Sequence, residues 1–366
     1  MKYRKKKKNT KDNKKNVYTL IKMGDEEVEN IKPAKNDINI GVQILRVIYC
    51  FLVVVVHFGS GEIYAFSWKY IDFYVTSFFL IAFYYSYHTF SSRHIPKIKE
   101  RFLRLLYPYI LCPIIVYVRN NFYTIKLSGI LDRALLKRFY IQYLLGNNIH
   151  GIMWFLFNLI FSSLFVCIIV LMFKNYSLYP LFIFFILNSI YNYYKLHSYY
   201  MNSFRRFPIQ HSCEIMNETF IFAITGYTLG RFDVINLLKK KFKFIFIFFS
   251  PIFYIVRFHQ EVFDKFPGFN VIFNTIFISS ILMFFGTLPF DLCKCQIFNK
   301  ILTFITRHTG GIYYFHTEAY DILINRYHLK PPRSTSACVL VYIGSFIFCE
   351  IGTRIFKKWR LRYIFN

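Results

Sequence analysis

The sequence is poor in acid: 19 Asp and Glu stand against 46 Lys and Arg, a formal net charge of +27. Such an excess raises the question of a nucleic-acid partner. Its distribution argues against one, and no nucleic acid is expected. The charge is densest in "MKYRKKKKNTKDNKK", the start of a stretch, residues 1–38, that has no apolar run. That composition excludes a packed core and predicts a disordered basic tail resting on anionic headgroups. No hydrophobic core follows these charges within residues 1–30, so the stretch is not expected to be a secretory signal peptide.

Paired cysteines are missing too. Of eight cysteines, Cys50, Cys112, Cys167, Cys338 and Cys349 fall in or beside apolar spans, where a thiol behaves as a small hydrophobe. Cys293 and Cys295 form a C-x-C with no second Cys/His pair at zinc spacing. Neither a disulfide framework nor a metal site is expected. The internal repeat that marks many transporters is also lacking.

What is abundant is apolar. Hydrophobic residues make up 55% of the chain and aromatic ones 22%, with a mean hydropathy of +0.34. A soluble domain could not cover that much apolar surface. Windows long enough for a bilayer recur near 40–58, 70–90, 104–119, 152–173, 178–194, 215–231, 243–257, 269–290, 301–323 and 336–355. The expected fold class is therefore all-α, a polytopic transmembrane helical bundle of about ten spans over residues 39–357. A short basic tail, 358–366, follows it. The bilayer is the first partner implied. Basic residues in the two tails place both ends on the cytoplasmic side of a plasma or inner membrane, or of an internal secretory membrane. Residues 120–150 have the amphipathic cast of an interfacial segment, and 195–212 read as an exposed loop.

Against this background, "LRVIYCFLVVVVHFG" (45–59) is unusual in carrying Arg46 and His57. At about 100° per residue, eleven residues return a helix almost to one face with a rise of about 16 Å. One plain account has the two side chains snorkelling to opposite interfaces. Further along, "RHIPKIKERFLRLLYPY" (93–109) places Arg101 and Arg104 three apart at the start of the third span, on one helix face. Positive-inside bias explains some of this charge. Paired guanidinium groups are also a suitable cradle for phosphates.

An R-x10-H in the first span and an R-x-x-R entering the third together resemble the acyltransferase-3 family of membrane O-acyltransferases. Other stretches are similar in the same order: "SFFLIAFYYSY" (77–87), "RLLYPYI" (104–110), "GIMWFLFNLI" (151–160), "TGYTLGR" (225–231) and "TGGIYYFH" (309–316). The resemblance covers roughly residues 40–356. It departs at "IDFYVTSFFLIAF", which keeps Asp72 but not the family's S-G spacing. No appended esterase-like domain is expected.

The resemblance implies an acyltransferase, expected to move an acetyl group from cytoplasmic acyl-CoA to a hydroxyl of a carbohydrate or glycolipid acceptor. Acyl-CoA is then a donor substrate, with no permanently bound cofactor. His57 would be a general base or acyl relay, since imidazole titrates near neutrality. Arg46 would assist as a cation or carbonyl clamp, and Arg101 and Arg104 would hold the CoA phosphates. His316 matches the family's late histidine. Glu318, two residues on, faces elsewhere on a helix; Glu318 and Asp72 are possible partners for Arg307. Trp154 reads more readily as a packing residue than as a substrate platform. The competing expectation is a transporter or flippase of a lipid-linked or acylated substrate, which polar residues in several spans would serve equally. A sugar-polymer ligase, a third class, would need larger outer loops.

Overall fold

The structure is a computed structural model and describes residues 39–61, 74–122, 154–199, 208–241, 267–288, 296–331 and 333–365. The tail 1–38, Asp72, the window 243–257, Cys293, Cys295 and most of 120–150 lie outside the described residues.

Helix is the only regular structure among the described residues. The elements are α1 (Ile40–Phe58), α2 (Tyr74–Ser91), α3 (Ile95–Phe122), α4 (Trp154–Phe173), α5 (Leu178–Tyr199), α6 (Pro208–Arg231), α7 (Val234–Lys241), α8 (Pro267–Thr287), α9 (Gln296–Arg307), α10 (Thr309–Tyr320) and α11 (Thr335–Ile355). Two helices extend from either side into 195–212, expected as a loop. Three stretches are long and apolar enough to cross a bilayer: Ile40–Phe58, Phe155–Tyr176 and Thr335–Ile355. Leu178–Tyr191 and Ile272–Thr287 are apolar but shorter. Along α5 the side chains of Tyr179, Phe182, Ile183 and Leu187 are exposed, a face suited to lipid and not to water. The chain is a helical membrane protein.

The sequence of α1 explains why it stays helical despite four consecutive valines, Val53 to Val56. Valine is an indifferent helix former, but away from water every backbone amide needs a partner, and only a helix supplies one within the segment. Asn39 caps its start, accepting from the Val42 amide at 3.1 Å. The Asn39 amide nitrogen also donates to the Gly286 carbonyl at 2.8 Å, tying α1 to α8. From this position α1 packs on α2, α8, α9, α10 and α11, so Gln43 and Arg46 look into the bundle.

Helices α2 and α6 pack at close range. Gly226 and Gly230 lie four apart on α6, and each meets a backbone carbonyl of α2, those of Leu80 and Tyr84. This is small-residue packing of the membrane kind, in which backbones approach because no side chain intervenes. The "TGYTLGR" stretch thus has a packing role in its own right.

The ninth expected span, 301–323, is not one helix. It breaks at His308 (φ −98°, ψ 3°) between α9 and α10, and a wider-wound turn, Asp321–Arg326, follows α10. The polar run Arg307–His308–Thr309 and the two glycines after it account for the break. Arg307 is consequently exposed at a helix end and does not sit within an apolar span. Beyond α11 the chain turns back through a short 3-10 helix, Arg360–Ile364. Phe365 is buried, stacked on Phe315 at 5.4 Å and on Phe356 at 5.6 Å.

Candidate functional site

Arg46 projects from the first half of α1 toward the α9–α10 break. Its Nη2 donates to Thr309 Oγ1 at 2.9 Å and to the Thr306 carbonyl at 3.4 Å, and its Nη1 to Gln43 Oε1 at 3.3 Å. All three acceptors are neutral, and no carboxylate among the described residues lies within ion-pair distance. A guanidinium so placed keeps its charge available for an anion or a polarised carbonyl. The Tyr85 phenol of α2 lies within electrostatic reach of it. Tyr85 Oη is buried and has no hydrogen-bond partner among the described residues, a valence that a polar ligand can satisfy.

His57 stands near the other end of α1 and meets the same helix, α10. Its ring lies 5.1 Å from that of His316, tilted by 38°. His316 is fully buried, and its Nδ1 lies 2.7 Å from the Tyr313 carbonyl and 3.3 Å from that of Ile312. Carbonyls only accept, so Nδ1 carries the hydrogen, and in the neutral ring Nε2 is the basic nitrogen. His57, by contrast, is exposed. One histidine is thus locked in orientation and tautomer, and the other is accessible beside it. Phe58 and Tyr320 stack face to face at 4.0 Å against this pair, and Phe58 lies 5.7 Å from the His316 ring, so the pair rests on an aromatic wall.

Arg101 and Arg104 share a helix but do not converge. The Arg101 guanidinium turns toward α2, donating to the Ala82 carbonyl at 3.3 Å and lying over Phe90 at 5.3 Å. Its Nε is buried with no hydrogen-bond partner among the described residues. Arg104 is exposed, paired with Glu100 at 2.6 Å and placed over the Tyr363 ring at 5.5 Å. The Arg104 hydrogen bond and charge hold the Glu100 carboxyl below its usual range. Both partners are well exposed, so this pair contributes little to stability.

Glu318 is half-buried on a different face of α10 from His316, as two-residue spacing on an unbroken helix requires. Trp154 opens α4, and its side chain lies outside the described part. Among the described residues no His, Cys, Asp and Glu group gathers to hold a metal. Three residues that sequence reasoning passed over belong to the site: Thr306 and Thr309, which grip Arg46, and His308 between them. The available signal was local. "RHTGG" is the most polar interruption of an otherwise apolar stretch.

Searches against models of protein families, curated proteins and solved structures give no match. Fold and site therefore define this protein's class directly. It is a helical membrane protein in which one helix, α1, carries an arginine and a histidine, both directed at one partner helix.

Proposed function

We propose that the chain is an integral-membrane acyltransferase that moves an acyl group, acetyl in the first instance, from cytoplasmic acyl-CoA to a hydroxyl of a carbohydrate or glycolipid. The carrying observation is the exposed His57 against the tautomer-fixed His316. A base that must reach a hydroxyl has to be accessible, and a neighbour of fixed orientation keeps it aimed. Arg46 and Arg101 lie toward the other end of the bundle and supply cationic groups with no carboxylate partner among the described residues. A donor held there by its phosphates can extend its thioester along α1 toward the histidines. The topology in this reading has about ten spans, with the Arg46 end cytoplasmic.

The transfer itself is a balanced acyl exchange. The acceptor oxygen forms a bond to the thioester carbonyl carbon while His57 takes the hydroxyl proton. The carbon–sulfur bond then breaks, the electron pair leaves with the CoA sulfur, and that thiolate recovers the proton. The products are the O-acyl ester and free CoA, and no other reactant is consumed.

The test is transfer of label from acetyl-CoA in membranes containing the wild-type chain, beside His57→Ala at matched abundance. Label is expected in a glycan or glycolipid fraction from wild type and not from the variant. Background transfer with every acceptor would put a transporter of an acylated or lipid-linked substrate in its place, and a fully active His57→Ala would remove His57 as the base. A donor titration separates the two arginines. Losing a charge-assisted hydrogen bond costs about 1.5–3 kcal/mol, so Arg101→Ala should raise the KM for acetyl-CoA about 10- to 100-fold. Arg104 must first leave Glu100, and Arg104→Ala is expected to change KM by no more than about threefold, the range of an exposed pair.

A further inference from the structure

The α9–α10 break carries a second set of polar contacts that the proposed chemistry leaves unused. His308 is fully buried, with its ring edge-on to Phe304 at 5.7 Å and to Phe346 at 5.4 Å. Its Nδ1 lies 2.9 Å from the Phe365 carbonyl. Its Nε2 lies 2.8 Å from Glu350 Oε2. The other Glu350 oxygen accepts from Arg354 Nε at 2.5 Å. Because the Phe365 carbonyl can only accept, Nδ1 carries a hydrogen. A hydrogen borne by Nε2 or by the Glu350 carboxyl completes the second bond. Either way the ring has two strong bonds and one orientation.

The Phe365 carbonyl is seated a second time. It lies 2.6 Å from where a Cβ on Gly311 would stand, so only glycine lets the segment Arg360–Phe365 approach α10 so closely. His308 and Gly311 flank Thr309. On the opposite side of the same turn, Thr309 Oγ1 and the Thr306 carbonyl hold Arg46, and the Cys50 thiol reaches the Thr309 carbonyl at 3.5 Å. A helix break is a soft joint, since its terminal peptide groups lack the regular ladder. Here it is clamped from both sides.

We propose that His308 is the positioning residue for Arg46. Bonded to Glu350 and to the Phe365 carbonyl on one side of the break, it fixes Thr306 and Thr309 where they grip the guanidinium on the other. The functional consequence, tighter seating of the donor, rests on the acyltransferase reading. The mechanical coupling does not.

The experiment is a double-mutant cycle on the thermal unfolding of the full chain in detergent at a fixed scan rate, with His308→Ala, Arg46→Ala and the pair. Each single variant is expected to lower Tm. The double variant should fall short of the summed losses by about 2 °C or more, as coupled sites do, although the two side chains share no hydrogen bond. Phe365→Ala should couple to Arg46→Ala in the same sense. Additive losses would overturn the proposal. If His308→Ala yields no folded protein, Glu350→Ala takes its place, since it removes the Nε2 partner and leaves the buried ring where it is. In the transfer assay, His308→Ala should raise the KM for acetyl-CoA about tenfold and leave kcat within about twofold. A purely structural role would lower the amount of active protein and leave KM alone, and an unchanged KM also overturns the proposal. Should the wild type transfer nothing, the acyltransferase reading falls while the cycle still decides the coupling.

Discussion

His57→Ala and His316→Ala are each expected to lower the initial rate of acetyl transfer by about 10²–10⁴-fold, the usual contribution of a positioned acid or base. The two losses have different origins. His57 is the exposed ring and the group that reaches the acceptor hydroxyl. His316 is buried, with its Nδ1–H spent on the Tyr313 carbonyl, so it acts through the ring 5.1 Å away. Groups that work as one unit are not additive. The double variant should therefore be little worse than the weaker single. His316→Asn, which keeps a donor for the Tyr313 carbonyl but removes the basic nitrogen, separates packing from chemistry. It should fold as well as wild type and transfer as poorly as His316→Ala. Initial rates at saturating acetyl-CoA, with protein quantified in the same membranes, check both. If the two losses multiply, the histidines act independently and His316 does not aim His57.

Gly226→Ala and Gly230→Ala are expected to abolish recovery of folded protein, although each adds a single carbon. At Gly226 the new Cβ would meet the Leu80 carbonyl and lie 3.0 Å from Phe83 Cβ. At Gly230 it would meet the Tyr84 carbonyl and lie 3.1 Å from Tyr87 Cβ. Overpacking costs typically about 1–3 kcal/mol when side chains can shift. Here the obstructing atoms are helix backbone, so α2 and α6 would have to separate along their whole contact. Gly344→Ala is the control. Its nearest neighbour is Leu323 Cδ1 at 2.5 Å, the far end of a flexible side chain that can swing aside, so this variant should fold. Monodisperse recovery by size-exclusion in detergent reads all three. Normal recovery of Gly226→Ala would mean that the α2–α6 interface is looser than described.

Residues close in sequence were legible where they share a helix. The eleven-residue step from Arg46 to His57 is just over three turns, and both side chains do address one neighbour, α10. What they meet there was not legible. Thr309 is 263 residues from Arg46, and nothing in local periodicity pairs them. Arg101 and Arg104 show the converse. Their spacing makes them helix neighbours, yet α2 offers one a carbonyl and a ring, while Glu100 and Tyr363 draw the other outward. Counting apolar residues located the 301–323 stretch but passed over its break, because the two short helices together carry as much hydrophobicity as one long one.

By itself the sequence determined that this is a helical membrane protein, since an apolar chain away from water must satisfy its own peptide groups within each segment. It also determined which few polar residues would be costly there and so worth examining. Only the tertiary structure decided how they are used. It set His57 against His316, Arg46 on the two threonines of the break, and His308 between Glu350 and a carbonyl 57 residues away. The physical reason is one of range. Helix formation follows from bonds four residues apart, whereas a side chain's partner is chosen by close packing between helices, where a single Cβ at Gly226 or Gly311 decides whether two backbones can meet.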